Sequence, residues 1–104
     1  MGTFVQQDWL SAATPGTVSD VEEVAGSSTY GWQISATGSG VVRLWLEGSI
    51  DGSTWCALDA YSSNYWPPPN PTTRWVTNMP VKFLRVNFYG GDEGTTATVS
   101  VIAV

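Results

Sequence analysis

Residues 40–58, GVVRLWLEGSIDGSTWCAL, constrain the fold more than any other stretch of the chain. Val42, Leu44 and Leu46 alternate with Arg43, Trp45 and Glu47. An extended chain with this pattern has one aliphatic face and one mixed face. Gly48 and Ser49 break the run, and Asp51-Gly52 marks a hairpin turn. Glycine tolerates the positive φ that tight hairpin turns need. An apolar strand restarts at Trp55, with Trp55 itself expected in the core. Two antiparallel strands therefore meet over a short turn.

Much of the remaining chain reads the same way. In residues 30–36, Tyr30, Trp32, Ile34 and Ala36 share one face. Residues 81–89 form a strand with Leu84, Val86 and Phe88 in one row and Phe83, Arg85 and Asn87 in the other. Residues 95–104 form a last strand with Ala97, Val99, Val101 and Ala103 inward. A shorter strand covers 74–77. Residues 18–24 carry Val18, Val21 and Val24 at helical spacing, but seven residues anchored by β-branched side chains favour a strand. Its acidic residues Asp20, Glu22 and Glu23 would blunt an exposed sheet edge. Residues 1–16 read as an N-terminal arm or a first short strand. The whole is an all-β chain of about seven strands, one antiparallel sandwich of jelly-roll or immunoglobulin-like type over residues 17–104.

Residues 59–73, DAYSSNYWPPPNPTT, depart from this pattern. Proline lacks the donor that a sheet ladder needs, so this is expected to be a long loop, stiffened by Pro67, Pro68 and Pro69. Long loops in small domains are usually functional or mobile, and this one carries Tyr61, Tyr65 and Trp66.

Composition sets outer limits. A chain of 104 residues is one ordinary domain and can bury a core without metal or disulfide. The net charge is -5, and Arg43, Arg74, Lys82 and Arg85 are the only basic residues. Nucleic acid and anionic membrane both need clustered positive charge, so neither is an expected partner. Cys56 is the sole cysteine, and its neighbours Trp55, Ala57 and Leu58 predict a buried, inert thiol. Residues 1–10 have no secretory or myristoylation pattern, and no apolar run reaches the length of a membrane span. A chain made in a cytoplasm is expected, one that stays soluble or leaves by a route not written in this sequence.

Catalytic chemistry finds little support. The chain has no histidine, which removes the commonest general base and metal ligand. Its acidic residues, Asp51, Asp59, Asp92 and Glu93 among them, fall mainly in expected turns and edges. For Glu47, a cross-strand partner such as Arg85 or the neighbourhood of Arg43 explains the residue as well as any catalytic role does. Residues 49–53 lack the repeated ligands of a calcium loop, and Asp92-Glu93 reads as a hairpin tip. No catalytic residue, cofactor or metal is expected.

Aromatic residues are the candidate binding groups. The chain has six tryptophans, and Trp32 belongs in the core with Trp55. Trp45 lies opposite the aliphatic row and needs cover, as do Tyr61, Tyr65, Trp66 and Trp75. The proline-rich loop, a protein partner or a sugar would each supply it. With the N-terminal Phe4 and Trp9 and the loop residues Pro67 and Pro68, these make the candidate interface set.

The order of motifs resembles the small β-sandwich modules of tailed-bacteriophage virions. In these a strand ending in an E-G-S-x-D-G-x-x-W hairpin precedes a P-V-R-Y-V-R-V-type strand, a glycine-rich turn and a closing T-V-T-V strand. Glu47, Gly48, Ser49, Asp51, Gly52 and Trp55 match the first motif. Pro80, Val81, Lys82, Phe83, Arg85 and Val86 match the second. The likeness covers about residues 18–104, interrupted at the proline-rich loop. It implies a virion protein, made in a host cytoplasm and carried on the capsid surface as a decoration (cement) protein. Its partners would be the major capsid protein and copies of itself, as a dimer or trimer. A carbohydrate-binding or structural module of a tail or fibre, with glycans as partners, is the alternative implied. The 59–73 insertion and the N-terminal segment lie outside the pattern and are the expected sites of particle-specific contact.

Overall fold

The computed structural model describes residues 4–38, 40–63 and 71–104. Its elements are all strands: β1 (Phe4–Ala13), β2 (Glu22–Glu23), β3 (Tyr30–Thr37), β4 (Val42–Ser49), β5 (Cys56–Ser62), β6 (Thr72–Val76), β7 (Phe83–Gly91) and β8 (Thr96–Ala103). They form two four-stranded antiparallel sheets, ordered β1-β8-β3-β6 and β2-β7-β4-β5. This order is the eight-stranded jelly roll, a sandwich of two Greek keys. The all-β sandwich expected from the alternation is thus the fold, with eight strands instead of about seven. No helix among the described residues is long and apolar enough to cross a membrane.

The alternating rows meet between the sheets. Tyr30, Trp32 and Ile34 of β3 and Ala97, Val99, Val101 and Ala103 of β8 come from one sheet. Val42, Leu44 and Leu46 of β4 and Leu84, Val86 and Phe88 of β7 come from the other, and all are buried. Each large aliphatic or aromatic side chain so buried contributes about 1.5–3 kcal/mol of transfer free energy. The buried Tyr30 hydroxyl donates to the Ser27 carbonyl at 3.1 Å and accepts the Val81 N–H at 3.3 Å.

The β4–β5 turn is longer than the tight hairpin expected, spanning residues 50–55. Asp51 organises it: its Oδ1 accepts the Ser53 N–H at 2.8 Å and the Thr54 N–H at 2.9 Å. Gly52 takes φ +82° and donates its N–H to Ser49 Oγ at 2.8 Å. These backbone donors hold the exposed Asp51 carboxyl below the usual carboxylate range.

Several local expectations are corrected. The loop expected at 59–73 is corrected at both ends, because β5 runs on to Ser62 and β6 begins at Thr72, while residues 64–70 lie outside the described residues. Asp59 and Tyr61 continue the β5 alternation, and no proline falls between Cys56 and Pro67. Cys56 is exposed, not buried. A bulge between Leu46 and Glu47 shifts the register, so Cys56 lies opposite Gly48 on the edge strand, its Sγ 3.7 Å from the Gly48 carbonyl oxygen. Trp55 is half-buried in the turn and not in the core, with the Arg85 guanidinium 4.2 Å from its ring centre. The 18–24 strand is broken: Val18 makes one bridge to Asn87, and only Glu22–Glu23 pairs regularly with β7. Between them Ser19 is buried, and its hydroxyl accepts the Val86 N–H at 2.8 Å. Gly90 and Gly91 extend β7 past the 81–89 strand expected, by pairing with Arg43 and Val42.

Candidate functional site

Strand alternation sends half of each strand outward, and the outward residues are the ones available to a partner. Of the candidate set, Trp45 projects from β4 on the outer face of its sheet. It is half-buried because Tyr89 of β7 stacks on it, ring centres 3.9 Å apart and planes 22° from parallel. Tyr89 was not in the candidate set. Its even spacing from Arg85 and Asn87 would have placed it on the same face.

Beside this pair lies a polar cluster. Glu47 of β4 faces Arg85 of β7 in register, and Arg85 Nε donates to Glu47 Oε1 at 2.7 Å. Asn87 Nδ2 donates to Glu47 Oε2 at 3.3 Å. The Glu47 side chain is 7% exposed, so its charge is held by its neighbours and little by water. The cross-strand partner expected for Glu47 is therefore present. Arg85 also covers Trp55, so one guanidinium joins the carboxylate to the aromatic.

On the opposite sheet Trp75 is 58% exposed. It pairs with Gly31 across β6 and β3, and a Cβ built on Gly31 would meet the Trp75 ring at 2.5 Å. The indole therefore lies down on the β3 backbone, and the missing side chain at Gly31 is what admits it.

Two candidates point inward. Trp9 and Tyr61 are buried in the core cluster, so neither offers a surface in this chain. Both follow from pairing that the sequence did not reveal. β1 joins β8 along its length, and Tyr61 sits opposite Leu44 on an extended β5. Burial raises the Tyr61 phenol. Phe4 begins β1, its backbone opposite Ala103. Tyr65, Trp66, Pro67 and Pro68 lie outside the described residues.

A second polar arrangement ties the two sheets together. Asp59 of β5 accepts the Trp32 indole N–H at 2.8 Å and two Arg74 N–H groups at 2.7 and 3.0 Å. Burial acts to raise the Asp59 carboxyl, but these hydrogen bonds and the Arg74 charge outweigh it and hold it below its ordinary value. Arg74 is raised in turn, chiefly by the Asp59 hydrogen bonds. Among the described residues, no group of three or more His, Cys, Asp and Glu side chains is placed to hold a metal ion.

Comparison of the chain with protein-family models gives no match, and comparison with curated proteins gives none.

Proposed function

We propose that the protein is a virion structural protein, a capsid decoration protein that binds and stabilises the outer shell of a phage capsid. One observation carries this reading. The residues of the two virion-like motifs, some thirty positions apart in the chain, come together as one unit. Glu47 and Ser49 lie opposite Arg85 and Phe83 in the β4–β7 ladder, and Trp55 lies against Arg85. The residues that carry the resemblance are thus neighbours in the fold. The jelly roll recurs in viral capsid and lectin domains, a likeness of fold that supports the reading without establishing a role. The acidic chain suits an outer position better than contact with packaged DNA. Decoration would stabilise the shell by mass action, because the protein binds assembled shell better than free subunits.

The alternative, a carbohydrate-binding module of a tail or fibre, draws on Trp75, whose flat and largely exposed ring is suited to stacking on a sugar. Titration of purified protein onto undecorated shells separates the two. Saturable binding with a raised shell melting temperature supports decoration. Absence of shell binding, with retention of the protein on a glycan array that Trp75→Ala abolishes, would replace it with the sugar-binding role.

A further inference from the structure

The outer face of the β1-β8-β3-β6 sheet differs from the rest of the surface. β3 presents Gln33, Ser35 and Thr37, and β8 presents Thr96, Thr98 and Ser100, each alternating with a core-facing residue. None is charged, although the chain holds nine acidic and four basic residues. In the strands of this sheet the only charged residues are Asp8, on edge strand β1, and Arg74, which turns to Asp59. One apolar row crosses all four strands. Val5 pairs with Ile102, Ile102 with Gly31, and Gly31 with Trp75. Val5 is 63% exposed, as open as Trp75 at the other end of the row.

We propose that this face binds a second copy of the chain, row against row, about a two-fold axis running along the strands through the middle of the sheet. Such an axis reverses the strand order, so β1 faces β6 of the second copy and β8 faces its β3. Trp75 then meets Val5 of the second copy, and Ile102 meets Gly31 with the indole lying over it. One pattern satisfies both partners, as an isologous interface requires.

Charge and area both favour a second copy as the occupant. Two chains of net charge -5 repel each other, and they approach most easily through a face whose two central strands, β8 and β3, carry no charge. A strongly basic or acidic partner would find nothing there to complement. Four strands about 4.8 Å apart, each about eight residues long at about 3.3 Å per residue, cover roughly 500 Å². Two copies then bury roughly 1,000 Å², the lower bound for specific association, with an apolar centre and an uncharged polar surround. The inference deepens the proposed function by giving the chain a second copy as partner, and rests on that reading only for the setting on a shell. The isolated protein tests it without any particle.

The test is sedimentation equilibrium of the full chain from about 1 to about 500 µM, a range that brackets a micromolar dimer. The expected result is a mass rising from monomer to dimer. Trp75→Glu and, separately, Gln33→Glu should weaken it at least about tenfold with circular dichroism unchanged, while Ser62→Glu on the other sheet leaves it intact. Because β3 lies next to the axis, the two copies of Gln33 are neighbours across it, and mixing Gln33→Glu with Gln33→Lys should restore the dimer. The exposed Gln33 site carries the test even if Trp75→Glu disturbs folding. A chain monomeric throughout the range overturns the inference, as does a dimer that survives Gln33→Glu. A monomer that binds shells and loses them on Gln33→Glu would assign the face to the shell subunit, overturning the inference while leaving decoration standing.

Discussion

Asp59 shows how one carboxylate can hold a sandwich closed. It sits on edge strand β5 and reaches Trp32 and Arg74 on the facing sheet. Its folded-state affinity for protons is lowered, so its contribution is present above the unfolded carboxylate value and is lost as pH falls through the lower folded one. Stability of the wild type should therefore decline below about pH 4, and Asp59→Asn should flatten that decline. At neutral pH the same variant should cost about 1–2 kcal/mol in a urea titration, because the charge-assisted bonds are lost while Arg74 stays near water. An unchanged pH profile would contradict the role given to Asp59. Glu47 makes a second case. Glu47→Ala leaves Arg85 and Asn87 without their acceptor and should destabilise by on the order of 2 kcal/mol, read as a shift in the urea midpoint. Its partner Arg85 could be anticipated from sequence, because both residues alternate outward on strong strands. The place of Trp55 could not, since a one-residue register shift at Leu46/Glu47 turns it from the inner row to the side of Arg85.

At the scale of elements, the strands with clean alternation were legible. β3, β4, β7 and β8 each bury the row that the sequence marks, because both inner faces of a sandwich need a continuous apolar row. The edge strands were harder to read, because half of their pairing is absent and their patterns are weak. β1 is the clearest instance. Register shifts fall between Gln6 and Leu10 and between Leu10 and Ala13, with Asp8 at φ +51° and Ala12 at φ +47°. Both freed amides are satisfied from β8: Asp8 N–H by Ser100 Oγ at 3.0 Å and Ala12 N–H by Thr98 Oγ1 at 2.9 Å. Such bulges keep an edge from pairing with another chain. Alanine is strained at that φ and glycine is not. Ala12→Gly should therefore be neutral or stabilise by up to about 1 kcal/mol in thermal or urea unfolding, unlike glycine substitutions in regular strands. A loss above about 1 kcal/mol would contradict the bulge geometry. β8 lies between β1 and β3 and supplies four buried residues. Deleting residues 96–104 should abolish cooperative unfolding, read as loss of the near-ultraviolet circular dichroism of the packed aromatics.

For the whole molecule, the two sheets present different surfaces. The β2-β7-β4-β5 sheet carries Glu47, Arg85 and the Trp45–Tyr89 stack, largely satisfied within the chain. The β1-β8-β3-β6 sheet carries a face with no charge on β8 and β3, crossed by an apolar row ending in Trp75. Trp75 was marked from sequence as needing cover. The row was not, because Val5, Gly31 and Ile102 come from distant segments that only the strand order aligns. In the proposed decoration role, one face would take a second copy of the chain and leave the other side for the shell. The most direct measurement is the copy number of this protein per particle, by quantitative mass spectrometry of particles purified from its source. Decoration predicts a simple fraction of the number of major shell subunits. Complete absence from the particles would contradict it, and a few copies per particle would move the protein to a tail or fibre.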